Sequence, residues 1–519
     1  VLHAHLPYVR HPEHPDFLEE DWFFEAMGET YFPLAALLDR LAGEGVPFRL
    51  TLSLSPTLVA MMDDALLGER LRARVERLLA VARREAARAR EEDPAFLAAL
   101  AFHVAWWQDL AARLSRPGGP GLADVFRRHA EAGRLELMTC AATHAVLPLL
   151  ESVPAAARAQ VRVGADAYAR RFGRAARGIW LPECGYAPGQ EAYLRAAGLR
   201  FAFLEEHGLT DAHPRPSDGV AAPVMSPLGV VFFGRDPWSS RQVWSAEGGY
   251  PGDPDYREFH RDQGFELPPD VLEGLLVAGR RRAIGLKVHR ITGDVPLGAK
   301  APWDPARARR RARDHAGHFV RELARRATAR LSDGRPPLVV SPYDAELFGH
   351  WWLEGLWFLE EALRAMAGSD GAVRAVTPME YLAAHPGCEV TQPPLSTWGA
   401  EGYAAVWLDR ANDWVYLHLD VAAERMVELA RRFPEPTLLQ GRALRQAARE
   451  LMLAQASDWA FIMRARTSAE YAARRTRDHL LRFQALYRGL TTGRVDEEAL
   501  LADERRTPIF PALDHRVYT

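Results

Sequence analysis

The chain has 519 residues, with Lys+Arg 65 against Asp+Glu 68 and a net charge of -3. That balance excludes binding of polyanions through bulk charge, so no nucleic-acid partner is expected, and the length asks for two or three structural units. Cys140, Cys184 and Cys388 are odd in number and lack metal-ligand spacing, which argues against a disulfide framework or a structural zinc and for a cytoplasmic protein; no apolar run reaches membrane-spanning length, so no membrane partner is expected.

In chain order, Val1 to Tyr8 reads as a strand end carrying His3 and His5, which point to one side because they are two apart. A helical pattern over Thr30 to Leu41 and an apolar run from Phe48 to Leu54 complete a strand, helix, strand unit. From about Met61 to Arg134 the pattern is helical apart from a Gly/Pro loop at 117–121, too long an excursion for a connection and therefore an insertion. Leu135 to Met138 restores a strand, with His144 just past it. The run Gly178-Ile179-Trp180-Leu181-Pro182-Glu183 is a strand broken by proline and followed at once by a carboxylate. Helix 190–197, strand 199–204 and strand 230–233 repeat the unit. The segment from Arg235 through Trp244 to Gly252 is rich in Gly, Pro and aromatics and is expected to be an irregular binding loop. A helix over 304–331 leads into Leu338-Val339-Val340-Ser341-Pro342-Tyr343-Asp344, which repeats the grammar of the Glu183 stretch; a helix at 352–366 and a last strand at 373–376 follow. Beyond about Pro393, helices at 422–432, 441–455 and 468–490 form a separate unit, with Ser457-Asp458-Trp459 as a step between two of them.

Two strand-end carboxylates among aromatics are the parts of a glycosidase-type site, in which one carboxyl protonates the leaving oxygen and the other meets the developing oxocarbenium ion. Glu183 and Asp344 fit these roles; the plainer reading makes each a structural acid at a barrel rim. His3, His5 and His144 fit sugar contacts, satisfied structural histidines or metal ligands, and spacing leaves the three open. Trp22, Trp244, Trp351, Trp352, Trp398 and Trp459 fall at strand ends or in loops. Each alone suits a core; together they suit a cleft that stacks pyranose rings.

The stretches His3-Ala4-His5-Leu6-Pro7-Tyr8, Trp180-Leu181-Pro182-Glu183, Arg235-Asp236 to Gly252, Ser341 to Trp352 and Ala456-Ser457-Asp458-Trp459 resemble glycoside hydrolase family 57, and within it the 1,4-alpha-glucan branching enzymes, nearly end to end. The resemblance implies an α/β fold: a (β/α)7 barrel at 1–395 with a helical insertion at about 57–134 and a loop-rich lid region at about 207–275, then a helical domain at 396–519 lining the cleft. It implies a retaining transglycosidase with Glu183 as nucleophile and Asp344 as general acid/base. Arg235, Gly252, Trp398 and Asp458 match glucan-contacting positions, and Trp244, His3, His5, His144 and Trp459 fall with the other residues of the cleft. The implied substrate is an alpha-1,4-glucan, amylose or glycogen-like, with no metal or organic cofactor; the sequence leaves the oligomeric state open, with a monomer expected. One departure stands out: the interval 211–233 is short and holds no tyrosine, where branching members carry a longer loop whose tyrosine reaches over the site. That makes an amylase-like hydrolase the leading alternative, ahead of a glucan-binding protein without catalysis and a metal-dependent carbohydrate deacetylase.

Overall fold

The computed structural model describes every residue except 116–120, 246, 278, 329–330 and 332, so most of the expected Gly/Pro loop at 117–121 lies outside the described residues. Seven parallel strands form the framework: β1 Leu2–Ala4, β2 Leu50–Leu54, β3 Leu135–Cys140, β4 Ile179–Trp180, β5 Phe201–Leu204, β6 Val231–Gly234 and β7 Tyr343–Asp344. Strands β4, β3, β2, β1 and β7 are paired in that order, and β5 pairs with β6. The two arcs meet at a Gly178–Phe201 bridge on one side; on the other, the Asp236 N–H donates to the Val340 carbonyl at 2.8 Å. The result is the α/β barrel with seven strands that was expected. Segment 373–376 forms no strand, because its end is tied to a local turn through Ser369 Oγ, which bonds both the N–H and the carbonyl of Val373.

Register explains how the interior is filled. His3 lies beside Ser53 on one side and Asp344 on the other, and Ser53 lies beside Met138. Met138, Cys140, Trp180, Phe201, Phe203 and Phe233 pack into one buried cluster inside the barrel. Leu2, Ala4, Leu50, Leu52 and Leu54 face the helices in the larger outer cluster. Alternation along each strand thus separates a plugged interior from a helix-facing shell.

The excursion after β2 consists of Pro56–Met62, Ala65–Glu92, Leu97–Leu114 and Leu122–Glu131. Asp64 caps the long helix by accepting the Leu67 N–H at 3.0 Å, a bond of the kind worth about 1 kcal/mol. Contrary to the sequence reading, residues 94–114 are long and apolar enough to cross a membrane by length and composition. Here they lie along Ala65–Glu92 with His103, Trp107 and Leu110 buried. Helix Pro237–Trp244 replaces the irregular loop expected after Arg235, because Asp236 accepts the Ser239 N–H at 2.7 Å and Pro237 occupies the first turn. Beyond the barrel, Trp414–Arg432, Leu438–Ala454, Ser457–Ala465 and Ala469–Thr492 pack together, and Ser457-Asp458-Trp459 opens the third of these helices instead of linking two.

Candidate active site

All seven strands run the same way, so Asp344 at the end of β7 and Glu183 three residues past β4 stand at one mouth. Glu183 sits in a strained turn: it has φ 60° and Cys184 has φ 50°, a region that costs residues with a Cβ about 1 kcal/mol or more. The turn is held from outside the barrel. The Trp398 N–H donates to the Glu183 carbonyl at 2.8 Å, and Tyr186 and Ser396 exchange backbone bonds at 2.9 and 3.0 Å. His144 is likewise left-handed, with φ 63°, and its carbonyl accepts the Ser457 N–H at 3.0 Å.

The Glu183 carboxylate accepts from Trp398 Nε1 at 2.6 Å and from Ser457 Oγ at 2.8 Å. Burial raises it to about 7, against the pull of these two donors. Asp344 is also raised to about 7, by burial and then by the charge on Glu183. No described residue donates a hydrogen bond to the Asp344 carboxyl. The charge on Glu183 is one of the forces that favours the protonated form of Asp344, while the two donors on Glu183 favour its ionised form.

The other expected residues divide clearly. His5 presents Nε2 to both oxygens of Asp458 at 3.1 and 3.0 Å and stacks on His144 with centroids 3.7 Å apart. His3 stacks on Trp180 at 4.7 Å, and its Nε2 lies 2.9 Å from His144 Nε2. Arg235 is fixed by Glu205 and Ser240, each at 2.7 Å, with its guanidinium 5.5 Å from the Trp244 ring and 5.6 Å from the Trp398 ring. Gly252 closes the turn Tyr250–Gly252, whose tyrosine packs against His315 and Phe358.

Trp459 does not line the cleft: it is 1% exposed, donates to the Leu453 carbonyl at 2.8 Å and belongs to the core under the C-terminal helices. Trp352 is also buried, and Trp22 is a half-buried residue of helix Glu20–Ala26 that packs on Tyr471. Trp351 is 53% exposed and stacks on Phe259 at 4.4 Å. Sequence reasoning missed Ser457 as a ligand of Glu183, although Ser457 adjoins a named residue. It also missed Glu346, raised to about 8 by burial, which accepts from the His5 N–H and the Tyr31 hydroxyl. Tyr416, whose hydroxyl donates to the Trp407 carbonyl, was missed too; burial and the nearby Glu183 charge raise its phenol. It lies far beyond the 211–233 interval, in the C-terminal unit, where the sequence gives no signal of its place near Glu183.

Ligand atoms of His3, Cys140 and His144, and of His5, His144 and Asp458, lie within 4.8 Å of one another. The close contacts in these groups, His3 Nε2 to His144 Nε2 at 2.9 Å and His5 Nε2 to Asp458 at 3.0 Å, are at hydrogen-bond distance.

A parallel barrel whose mouth holds two buried carboxyls, one of them supplied with two donors, beside tryptophans and an arginine has the form of a glycoside-bond-processing enzyme. Comparison with known proteins agrees. The glycosyl hydrolase family 57 profile matches residues 1–236, and that of the 1,4-alpha-glucan branching enzyme C-terminal region matches 418–518. A 1,4-alpha-glucan branching enzyme of Thermococcus kodakarensis is 31% identical over 552 residues, covering 99% of this chain and 77% of its own. The structure described as a novel alpha-amylase, AmyC from Thermotoga maritima, superposes with a TM-score of 0.93 at 39% identity, covering 100% of this chain and 98% of its own. A GH57-type branching enzyme from Pyrococcus horikoshii gives 0.87 at 33% identity, covering 100% and 95%. The chain belongs to glycosyl hydrolase family 57.

Proposed function

We propose that the chain is a 1,4-alpha-glucan branching enzyme, in which Glu183 attacks the anomeric carbon while Asp344 protonates the departing glucan oxygen. Asp344 then takes the proton of an acceptor 6-hydroxyl, which displaces Glu183 and leaves an alpha-1,6 branch. The observation that carries the chemistry is the unequal supply of donors: two on Glu183 and none on Asp344 among the described residues. Branching over other glucan chemistries is supported by likeness to branching enzymes over 99% of the chain and by the match at 418–518. In this reading Trp244, Trp398 and Arg235 form one wall of the sugar cleft, with His5 and Asp458 opposite. Residues 1–395 act as the catalytic barrel, and 396–519 as the unit that clamps the Glu183 and His144 turns. The free cysteines accord with a cytoplasmic enzyme acting on amylose or a glycogen-like glucan.

Incubation with amylose tests this: short chains released by a debranching enzyme are expected, and an unchanged polymer would leave only glucan binding. A second reading, an alpha-amylase, is favoured by the likeness to AmyC and by the short 211–233 interval without tyrosine. It predicts reducing ends without new alpha-1,6 links.

A further inference from the structure

Four polar side chains from four separate segments form an unbroken line behind Glu183. Ser53 Oγ lies 3.2 Å from His3 Nδ1, His3 Nε2 lies 2.9 Å from His144 Nε2, and His144 Nδ1 lies 2.8 Å from Ser457 Oγ, which meets Glu183 Oε1 at 2.8 Å. All four are buried, from 0 to 3% exposed. Burial holds both imidazoles well below their ordinary pKa, so each ring is neutral and carries one proton. One proton per ring leaves only two ways to satisfy the line.

When Glu183 is ionised its oxygen only accepts, so Ser457 must donate to it. His144 then donates from Nδ1 to Ser457, His3 donates from Nε2 to His144, and Ser53 donates to His3 Nδ1. When the group at position 183 donates instead, every proton turns round. Ser457 gives to His144 Nδ1, His144 Nε2 gives to His3 Nε2, His3 Nδ1 gives to Ser53, and Ser53 finds the Thr139 carbonyl at 3.4 Å. Both arrangements use the same four contacts, and the second adds the bond from Ser53 to the Thr139 carbonyl, so the direction is set by whether the group at position 183 accepts or donates.

We propose that Ser53, His3, His144 and Ser457 are a two-state hydrogen-bond chain whose direction follows the charge on Glu183, so that in one direction Ser457 donates to the ionised carboxylate and in the other it accepts from the protonated one. The residues are positioning residues acting through Ser457. The proposal rests on Glu183 as the nucleophile. Other titratable groups around the line are His5, stacked on His144 and engaged by Asp458; Cys140 beside both chain histidines, pushed well up by burial; Tyr416; and Asp344 across the cleft. None of these supplies a competing donor to either chain imidazole.

Nitrogen-15 NMR of histidine-labelled full-length protein reads the direction without any turnover. In the native protein at pH 8, His3 is expected protonated at Nε2 and His144 at Nδ1. Glu183→Gln must place its oxygen toward the Trp398 N–H and its amide N–H toward Ser457, so both histidines should exchange tautomers. Unchanged tautomers in that variant, the opposite pair in the native protein, or an imidazolium in either would overturn the proposal. If Glu183→Gln does not fold, acid titration of the native protein should drive the same exchange, and its absence would count equally against the chain.

A kinetic arm separates this from a merely structural role. Ser457→Ala should move the acid limb of kcat/KM up by about 1 pH unit, and Ser457→Thr should restore it. A fall in kcat with an unmoved limb would overturn the chain while leaving Glu183 as nucleophile; a limb unaffected by any change at Glu183 would overturn that assignment itself.

Discussion

Glu183 and Asp344 stand at the same mouth, and burial raises both to about 7, yet their surroundings differ. Glu183 is wrapped by residues from beyond the barrel: Trp398 gives its indole and its backbone N–H, and Ser457 gives its hydroxyl. Asp344 ends a strand and relies on burial and the neighbouring charge. Equal burial with unequal donors biases two similar acids toward different roles, because donors favour the ionised form of the one they reach. The segment after residue 395 thus provides the asymmetry.

The largest expected effect comes from removing either acid. Glu183→Gln should lower kcat on amylose on the order of 10⁴-fold or more. Asp344→Asn should lower it by about 10²–10⁴-fold, and only this variant should recover its first step on a glucosyl fluoride, whose leaving group needs no proton. Equal recovery in both would mean the roles have been assigned the wrong way round.

Next come the donors. Trp398→Phe keeps a ring and loses the N–H at Oε2, and a hydrogen bond to a charged group is worth about 1.5–3 kcal/mol. The acid limb of kcat/KM should therefore move up by about 1–2 pH units, while the alkaline limb, set by Asp344, moves less. Equal movement of both limbs would dissolve the contrast between the acids.

Stability sharpens the same contrast. Asp344 is raised from 3.8 to about 7 in the folded protein, so the folded state holds this proton more tightly than the unfolded chain. The group's contribution is complete below about pH 4 and is lost as pH rises toward 7. Asp344→Asn is therefore expected to raise Tm more at pH 8 than at pH 4, as thermal unfolding at the two values would show.

The smallest effects separate the two tryptophans that sequence treated alike. Trp459→Ala should destabilise by about 3–5 kcal/mol, whereas Trp351→Ala should change stability by less than about 0.5 kcal/mol in denaturant unfolding.

Much of this was legible in the sequence. Apolar runs ending in proline and a carboxylate marked β4 and β7, because a buried strand must be apolar and its end is where polar groups can meet a ligand. The expected strand at 373–376 failed because its first residue is held in a local turn by Ser369, a side-chain bond that an apolar run does not reveal. Trp459 failed because an aromatic next to an acid reads the same whether it faces a cleft or a core. The helix at Pro237–Trp244 was hidden by its tryptophans and proline, although Asp236 and Pro237 together are a start signal.

By itself the chain's residue pattern marked the α/β repeat, the two strand-end acids and, of the six tryptophans singled out, Trp244 and Trp398 beside Arg235, since periodicity and strand-end chemistry are local. Only the tertiary structure decided which acid is supplied with donors, that Ser457 and Trp398 reach Glu183 from 274 and 215 residues away, and that two histidines join Ser53 to the same carboxylate. Those facts depend on donors brought together across the fold, and hydrogen bonding between distant segments leaves no periodicity to read.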